Sequence, residues 1–452
     1  MMRILVTFVV LLCLLPCHVE AQSAVTYGYA YAVHREEDDF YLQVINPTTE
    51  EAESIFIPAR EGHRIFSAQA SPDGEWVYTI IRMLDSSTRP GGSYSVNLYS
   101  PRTGEMREVL YDVRILKITW SPDSQWLALI LRDAESINSF LGAYVYHVAT
   151  AALSMVSADE TTPYHMEWSP DSTQLLTVGM RCPTELHCSS RFDVIEMSSI
   201  TSLHSVEFDS SGDYLCQFAW SPDNQTIAFL YACSDSIGSG SWPYIHDIYS
   251  LNLANSTFTR LTYFAQQEEY PSTLQQYSLG YSFAWYDSST LLRSMAGGPF
   301  QDGVGFDDAF YLQESVAHRA DGTQVFIADQ SIWDWILNPL YPTEIAFRRE
   351  DYVLFTTEYN TRLAQVANAA VEIATFDGTN LNVLYSGVGG CELDWSPDGT
   401  MLAYSYIETL PHYDCWSVMG FEFVSRETWT SSSFRVTEAI DFSAGWVIMP
   451  AD

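Results

Sequence analysis

The stretch Trp120-Ser121-Pro122-Asp123-Ser124-Gln125-Trp126-Leu127-Ala128-Leu129-Ile130-Leu131 decides how this chain is read. It places a large aromatic residue before a tight polar corner and an unbroken apolar run after it. Proline presets φ, and serine and aspartate hydrogen-bond the local backbone, so the corner suits a short connection between antiparallel strands. The apolar run has the length and composition of a buried strand. The tryptophan in front supplies a plate for packing one sheet on its neighbour.

The phrase recurs around Asp73, at Trp168 with Asp171, at Trp220 with Asp223 and at Trp395 with Asp398. The motif serines Ser71, Ser121, Ser169 and Ser221 lie 50, 48 and 52 residues apart, room for four short strands and their turns. Between Ser221 and Ser396 the 175-residue gap holds two worn copies. Phe283-Ala284-Trp285-Tyr286-Asp287-Ser288 keeps the tryptophan and loses the proline. Ile336-Leu337-Asn338-Pro339 keeps the outline. No amphipathic helix of convincing length interrupts the strands, which weighs against a parallel α/β domain.

These residues predict an all-β protein: a single β-propeller of eight four-stranded blades, with seven as the alternative. Tyr27–His34, Phe40–Ile45 and Glu53–Pro58 read as the later strands of a blade that lacks its first, and Ala439–Gly445 reads as that missing strand. The termini then share one blade and close the ring, which removes exposed sheet edges. Eight blades give about 54 residues each, close to the observed spacing.

The recurring Trp-Ser-Pro-Asp phrase resembles the TolB-type, WD40-like propeller repeat, and the resemblance spans nearly all of residues 22–452. It implies the propeller fold and an extracytoplasmic, bacterial-type setting. It implies little about activity, since such blades serve binding proteins and also the non-catalytic parts of certain peptidases. No separate domain precedes the first repeat, so a TolB-like role in envelope maintenance does not follow.

Arg3, the apolar run Ile4–Pro16 and the small-residue ending Val19-Glu20-Ala21 have the layout of a signal peptide over residues 1–21, leaving the propeller domain at 22–452. Lipidation at Cys17 would put Pro16 where a small residue is wanted, so cleavage near Ala21 is the expectation. The mature chain is then secreted, periplasmic or in the cell envelope, and no later stretch approaches the roughly 18 apolar residues of a membrane span. The formal charge of −36, from 57 acidic and 21 basic residues, excludes a phosphate-binding surface of the usual kind and hence nucleic acid as partner. Lys117 is the sole lysine.

Six cysteines lie beyond the leader: Cys182, Cys188, Cys216, Cys233, Cys391 and Cys415. In an exported chain they are disulfide candidates, with Cys182/Cys188, Cys216/Cys233 and Cys391/Cys415 as the local pairs, although six thiols allow about 15 connectivities.

Catalytic signals are weak. Gly238-Ser239-Gly240-Ser241 lacks nucleophile-elbow spacing. Ser71-Pro72-Asp73-Gly74-Glu75-Trp76 departs from the sialidase box by placing glycine directly after aspartate, and Arg82, Arg132, Arg181 and Arg293 cannot be gathered round one pore from sequence. No histidine pair has helical zinc spacing, and His34, His147, His165 and His246 read as ordinary strand or loop positions. No cofactor is expected. The Asp-rich turns Asp209–Asp213 and Asp302–Asp308 could hold calcium through oxygen ligands but lack a full loop spacing. Two long segments, Ser234–Tyr244 and Phe264–Tyr281, break the blade rhythm, and their Trp242, Tyr244, Tyr270 and Tyr277 are the candidate binding surface. The expectation is a non-enzymatic extracytoplasmic propeller that binds a protein partner or an extracellular ligand. Its competitor is a propeller enzyme of glycosidase, lyase or lactonase type with its site at the central channel.

Overall fold

A computed structural model of the chain describes residues 25–34, 40–57, 63–83, 93–132, 140–156, 161–184, 187–210, 215–231, 247–263, 277–299, 312–328, 332–356, 362–388, 392–406, 418–436 and 440–449. The described residues form β-strands and turns, without helix. Six sheets have four strands and one has seven, and every pairing is antiparallel. In a regular unit the strands lie side by side in chain order, as in Thr162–Trp168, Gln174–Thr184, His187–Glu196 and Thr201–Phe208.

Two departures from simple repetition matter. Tyr27–His34, Phe40–Asn46 and Glu51–Phe56 form a sheet with Ile440–Ile448, which pairs with Tyr27–His34 from Tyr27↔Ile448 to Val33↔Ile440. The worn strand near the C-terminus is thus the partner of the first described strand, as its sequence suggested. The seven-stranded sheet arises because Met106–Trp120 runs on as one strand, closing one four-stranded unit and opening the next. Asp112, at φ +57°, lies within this strand. Phe264–Tyr281 needs correction as a loop, because a strand already begins at Tyr277 (Tyr277–Asp287).

Each hydrophobic cluster lies between two successive units. In Leu127–Leu131, Leu127, Leu129 and Leu131 pack with Tyr78, Val96 and Leu98 of the preceding unit. Ala128 and Ile130 pack with Met166, Trp168 and Leu175 of the following one. Strand side chains alternate between faces, so a strand covered on both sides needs apolar residues at every position, which explains the unbroken run. Small residues sit opposite the large plates: Ala128 with Trp168, Ala346 with Trp395 and Ala403 with Trp446. The cluster between the unit of Met401–Tyr406 and that of Tyr27–His34 is aromatic, with Tyr29 against Phe421, Phe423 and Trp446.

Candidate functional site at the first strands

The corner phrase performs the chemistry read from it. Ser121 Oγ donates to Asp123 Oδ1 at 2.6 Å and accepts the Trp126 N–H at 2.9 Å, while Asp123 Oδ1 accepts the Gln125 N–H at 3.1 Å. The same set recurs at Ser71/Asp73, Ser169/Asp171, Ser221/Asp223 and Ser396/Asp398. The residue after each aspartate takes a positive φ, +74° at Gly74 and +62° at Ser124 and Ser172. Corners also hold one another: the Asp73 N–H donates to Ser124 Oγ, and the Asp123 N–H to Ser172 Oγ.

In five of the first strands the indole N–H of a tryptophan reaches back to a backbone carbonyl of the preceding unit's first strand, while the corner at Ser71 has Ala70 in that position. Trp120 donates to Gln69, Trp168 to Thr119, Trp220 to Glu167, Trp285 to Ala219 and Trp446 to Asp394, at 2.9–3.4 Å. Trp395 breaks the series. Its Nε1 is buried with no hydrogen-bond partner, and by position its acceptor would be the Ile336 carbonyl, on the strand whose corner has lost the tryptophan.

A cavity of about 720 Å³ opens there. First strands line it, including Ile336 and Leu337 on one side of the gap and Trp395 on the other, with Ser443, Gly445 and Gln69 beyond. Glu392 and Asp394, two residues apart on Leu393–Trp395 and its approach, place two carboxylates on its wall. Ser443 donates a hydrogen bond to Glu392. Burial, then the Glu392 charge, push the Asp394 carboxyl up to about 7, against which a Trp446 backbone hydrogen bond works. Enclosure by protein also raises Glu392, although the cavity leaves it open to water. Burial, then Asp394 and Glu392, hold the Tyr29 hydroxyl well above its usual range. Gly445 is required by this packing: its φ is +95° and a Cβ would stand 3.1 Å from Asp394 Oδ2.

A second polar group bridges neighbouring first strands. Lys117 Nζ lies 3.2 Å from His165 Nε2 and 3.7 Å from Glu167, and His165 Nε2 lies 3.2 Å from Glu167. Burial lowers both Lys117 and His165. His165 is therefore part of a charged cluster, which its reading as an ordinary strand position missed.

The aromatic residues chosen from sequence are not brought to this site by the described structure. Trp242, Tyr244 and Tyr270 lie outside the described residues, and Tyr277 opens the strand Tyr277–Asp287. Asp73, Trp120, Asp123, Trp168, Asp171, Trp220, Asp223, Trp285, Trp395 and Asp398 lie at corners or on the strands that lead into them. Cys182 and Cys188 form a disulfide. Cys216 is disulfide-bonded too, while Cys233, Cys391 and Cys415 lie outside the described residues, as do the leader at 1–21, the turn at 302–308 and most of that at 209–213. Among the described residues no group of three or more His, Cys, Asp or Glu side chains could hold a metal ion, and no helix is long and apolar enough to cross a membrane. Arg293 is buried in a sheet, donating to His318 at 2.9 Å, and Arg181 pairs with Glu207 at the surface, so these two arginines do not converge on one pore.

The carboxylates escaped notice because they lie before the motif. Counting back three and one from the tryptophan position gives Ser67 and Gln69, Lys117 and Thr119, His165 and Glu167, Glu392 and Asp394, and Ser443 and Gly445, and in the other three units Gln217 and Ala219, Ser282 and Ala284, and Asp334 and Ile336. This polar pattern was the available signal.

No family model matches the sequence, and comparison with curated proteins finds no match. Among solved structures, a eukaryotic initiation factor is similar at a TM-score of 0.49 and 12% identity, over 95% of this chain and 100% of its own. The β-propeller domain of the Trilobed protease from Pyrococcus furiosus is similar at 0.46 and 13%, over 84% and 99%. TolB from Acinetobacter baumannii is similar at 0.36 and 12%, over 94% and 83%. At these levels the likenesses add nothing to the sheet topology already described.

Proposed function

We propose that the chain is an eight-bladed β-propeller, closed by the blade its terminal strands share, that works outside the cytoplasm as a non-catalytic scaffold binding a ligand at the mouth of its channel. Support for a closed ring comes from counting interfaces. Taking Met106–Trp120 as two halves gives eight four-stranded units, and eight hydrophobic clusters lie between them. An open row of eight has one interface fewer. Export is supported by the leader-like start and by the Cys182–Cys188 disulfide.

The observation that carries the binding reading is the cavity of about 720 Å³, within the size range of small-molecule sites, lined by first strands from both sides of the shared blade. A thermal-shift screen of polar small molecules against residues 22–452 tests it. Ligands that raise the melting temperature should lose their effect in Gln69→Trp, which fills the mouth, and should be recovered chemically unchanged. A screen in which no compound stabilises the protein, or in which Gln69→Trp changes nothing, would sink the reading.

A second reading, a propeller glycosidase, lyase or lactonase acting at this channel, is favoured by one observation. Asp394 keeps its proton to about pH 7 two residues from Glu392, the kind of split between carboxyl groups that general acid–base chemistry uses. Conversion of a bound glycoside or lactone, abolished in Asp394→Asn, would select it.

A further inference from the structure

Of the 21 lysine and arginine residues, Lys117 alone is lysine. Both side chains supply a positive charge, but only lysine can give up its proton and become a nucleophilic amine. Lys117 stands on a first strand with 30% of its side chain exposed. Its Nζ lies 3.3 Å from His165 Nδ1 and 3.2 Å from Nε2, closer than Glu167 at 3.7 Å. His165 is itself held in place. Phe218 of the next unit packs on its ring with centroids 4.2 Å apart, and Glu167 Oε2 lies 3.2 Å from Nε2. With the Nε2–H donated to Glu167, Nδ1 is left to accept from Lys117. An amine, a base and a carboxylate that orients the base are thus brought together, the arrangement that activates a weak nucleophile. Burial works in the same direction, lowering Lys117 below the usual lysine range although Glu167 opposes it.

The backbone is irregular at both positions. A bulge at Leu116 precedes Lys117 and one at Tyr164 precedes His165, and bulges re-aim the side chains beside them. Bulged residues also leave apolar surface exposed on these inner strands: Leu116 is 43% exposed, and Phe66, at the matching bulge of the preceding unit, 60%.

We infer that Lys117 captures an aromatic aldehyde as an imine. The ammonium passes a proton through His165 to water. The nitrogen pair forms the C–N bond as the carbonyl π pair moves to oxygen, which takes up a proton while nitrogen loses one. The new hydroxyl takes a proton from solvent and leaves as water, and the nitrogen pair closes the C=N bond. One ammonium and one aldehyde thereby give one protonated imine and one water. Lys117, His165 and Glu167 are not among the residues lining the cavity at Trp395, so this capture goes beyond the binding reading above and does not depend on it.

Benzaldehyde is the probe, added at pH 7 to residues 22–452 with cyanoborohydride, which fixes an imine as a secondary amine. Labelling is read by peptide mapping, with Nα-acetyl-lysine in the same solution as reference. Lys117 is expected to label about tenfold faster than the reference, below the roughly 10²–10⁴-fold that a positioned base contributes. Lys117→Arg keeps the charge and should leave only the N-terminal amine labelled. His165→Gln should slow labelling of Lys117 by about fivefold or more. With glyceraldehyde, a polar aldehyde, the advantage over the reference should be about threefold smaller, the worth of partly covering an aromatic ring. Labelling of Lys117 no faster than the reference overturns the inference. So does a His165→Gln protein that melts like the parent and labels at the parent's rate. An equal advantage with benzaldehyde and glyceraldehyde overturns the aromatic assignment.

Discussion

The corners at Ser121, Ser169 and Ser221 and the corners at Asp287 and Asn338 do the same job with different residues. In the first group serine, proline and aspartate close the turn, and tryptophan clamps the preceding unit. At Asp287 the proline is gone, yet Asp287 Oδ1 still accepts the Ser289 N–H and Trp285 still donates to Ala219. At Asn338 the local cap survives, with the Leu340 N–H donating to Asn338 Oδ1, and the Asn338 amide donates to the Gly399 carbonyl of the next corner. Corner and clamp are therefore separable. Loss of the proline at Asp287 leaves the clamp intact, whereas Trp395 has no acceptor on Ile332–Asn338, and the cavity opens at that joint.

The sharpest way to break this contrast is Trp168→Ala against Trp395→Phe, compared by chemical denaturation. Trp168→Ala removes a buried plate with its hydrogen bond and is expected to cost about 3–5 kcal/mol. At the open joint, pH is the next lever. The Asp394 carboxyl is raised from 3.8 to about 7, so the folded protein holds a proton that the unfolded chain releases between those values. Stability from this group is full below pH ~4, falls as pH rises through about 7 and is flat above. Asp394→Asn should flatten that slope and stabilise the protein at pH 8 by about 1–3 kcal/mol, allowing for water in the cavity. A slope that survives the substitution would reassign the proton. Smaller again, Ser121→Ala strips a corner of two hydrogen bonds and is expected to cost about 1–2 kcal/mol. Trp395→Phe, having no hydrogen bond to lose, is expected to stay within about 0.5 kcal/mol of the parent. A large loss there would show that the indole is partnered in solution.

The corners were legible because their chemistry is local: a Ser-Pro-Asp run carries its own hydrogen-bond partners within five residues, wherever it falls in the chain. The strand before the missing partner, Ile440–Ile448, was legible from complementarity of the chain ends. The cavity wall was not. Glu392, Ser443 and Gln69 come from distant stretches, and each looks like a strand residue on its own. Their convergence depends on how units are joined, and so does the Trp395 indole without an acceptor: Leu337 stands in the tryptophan position of the preceding unit, but so does Ala70 in the unit that still accepts from Trp120.

The sheet that unites Tyr27–His34 with Ile440–Ile448 sets an order on biogenesis. Tyr27–His34 keeps one edge bare until Ile440–Ile448 arrives to cover it, and bare edges recruit wrong partners. Units between the two strands can form as they emerge, but this sheet waits for Ile440–Ile448. A chain that stalls short of Ile440 lacks Trp446, the ring that Ile440–Ile448 adds to the aromatic cluster of Tyr29 and Phe423. Protection of that half-made sheet edge during synthesis is what this topology demands of the folding chain.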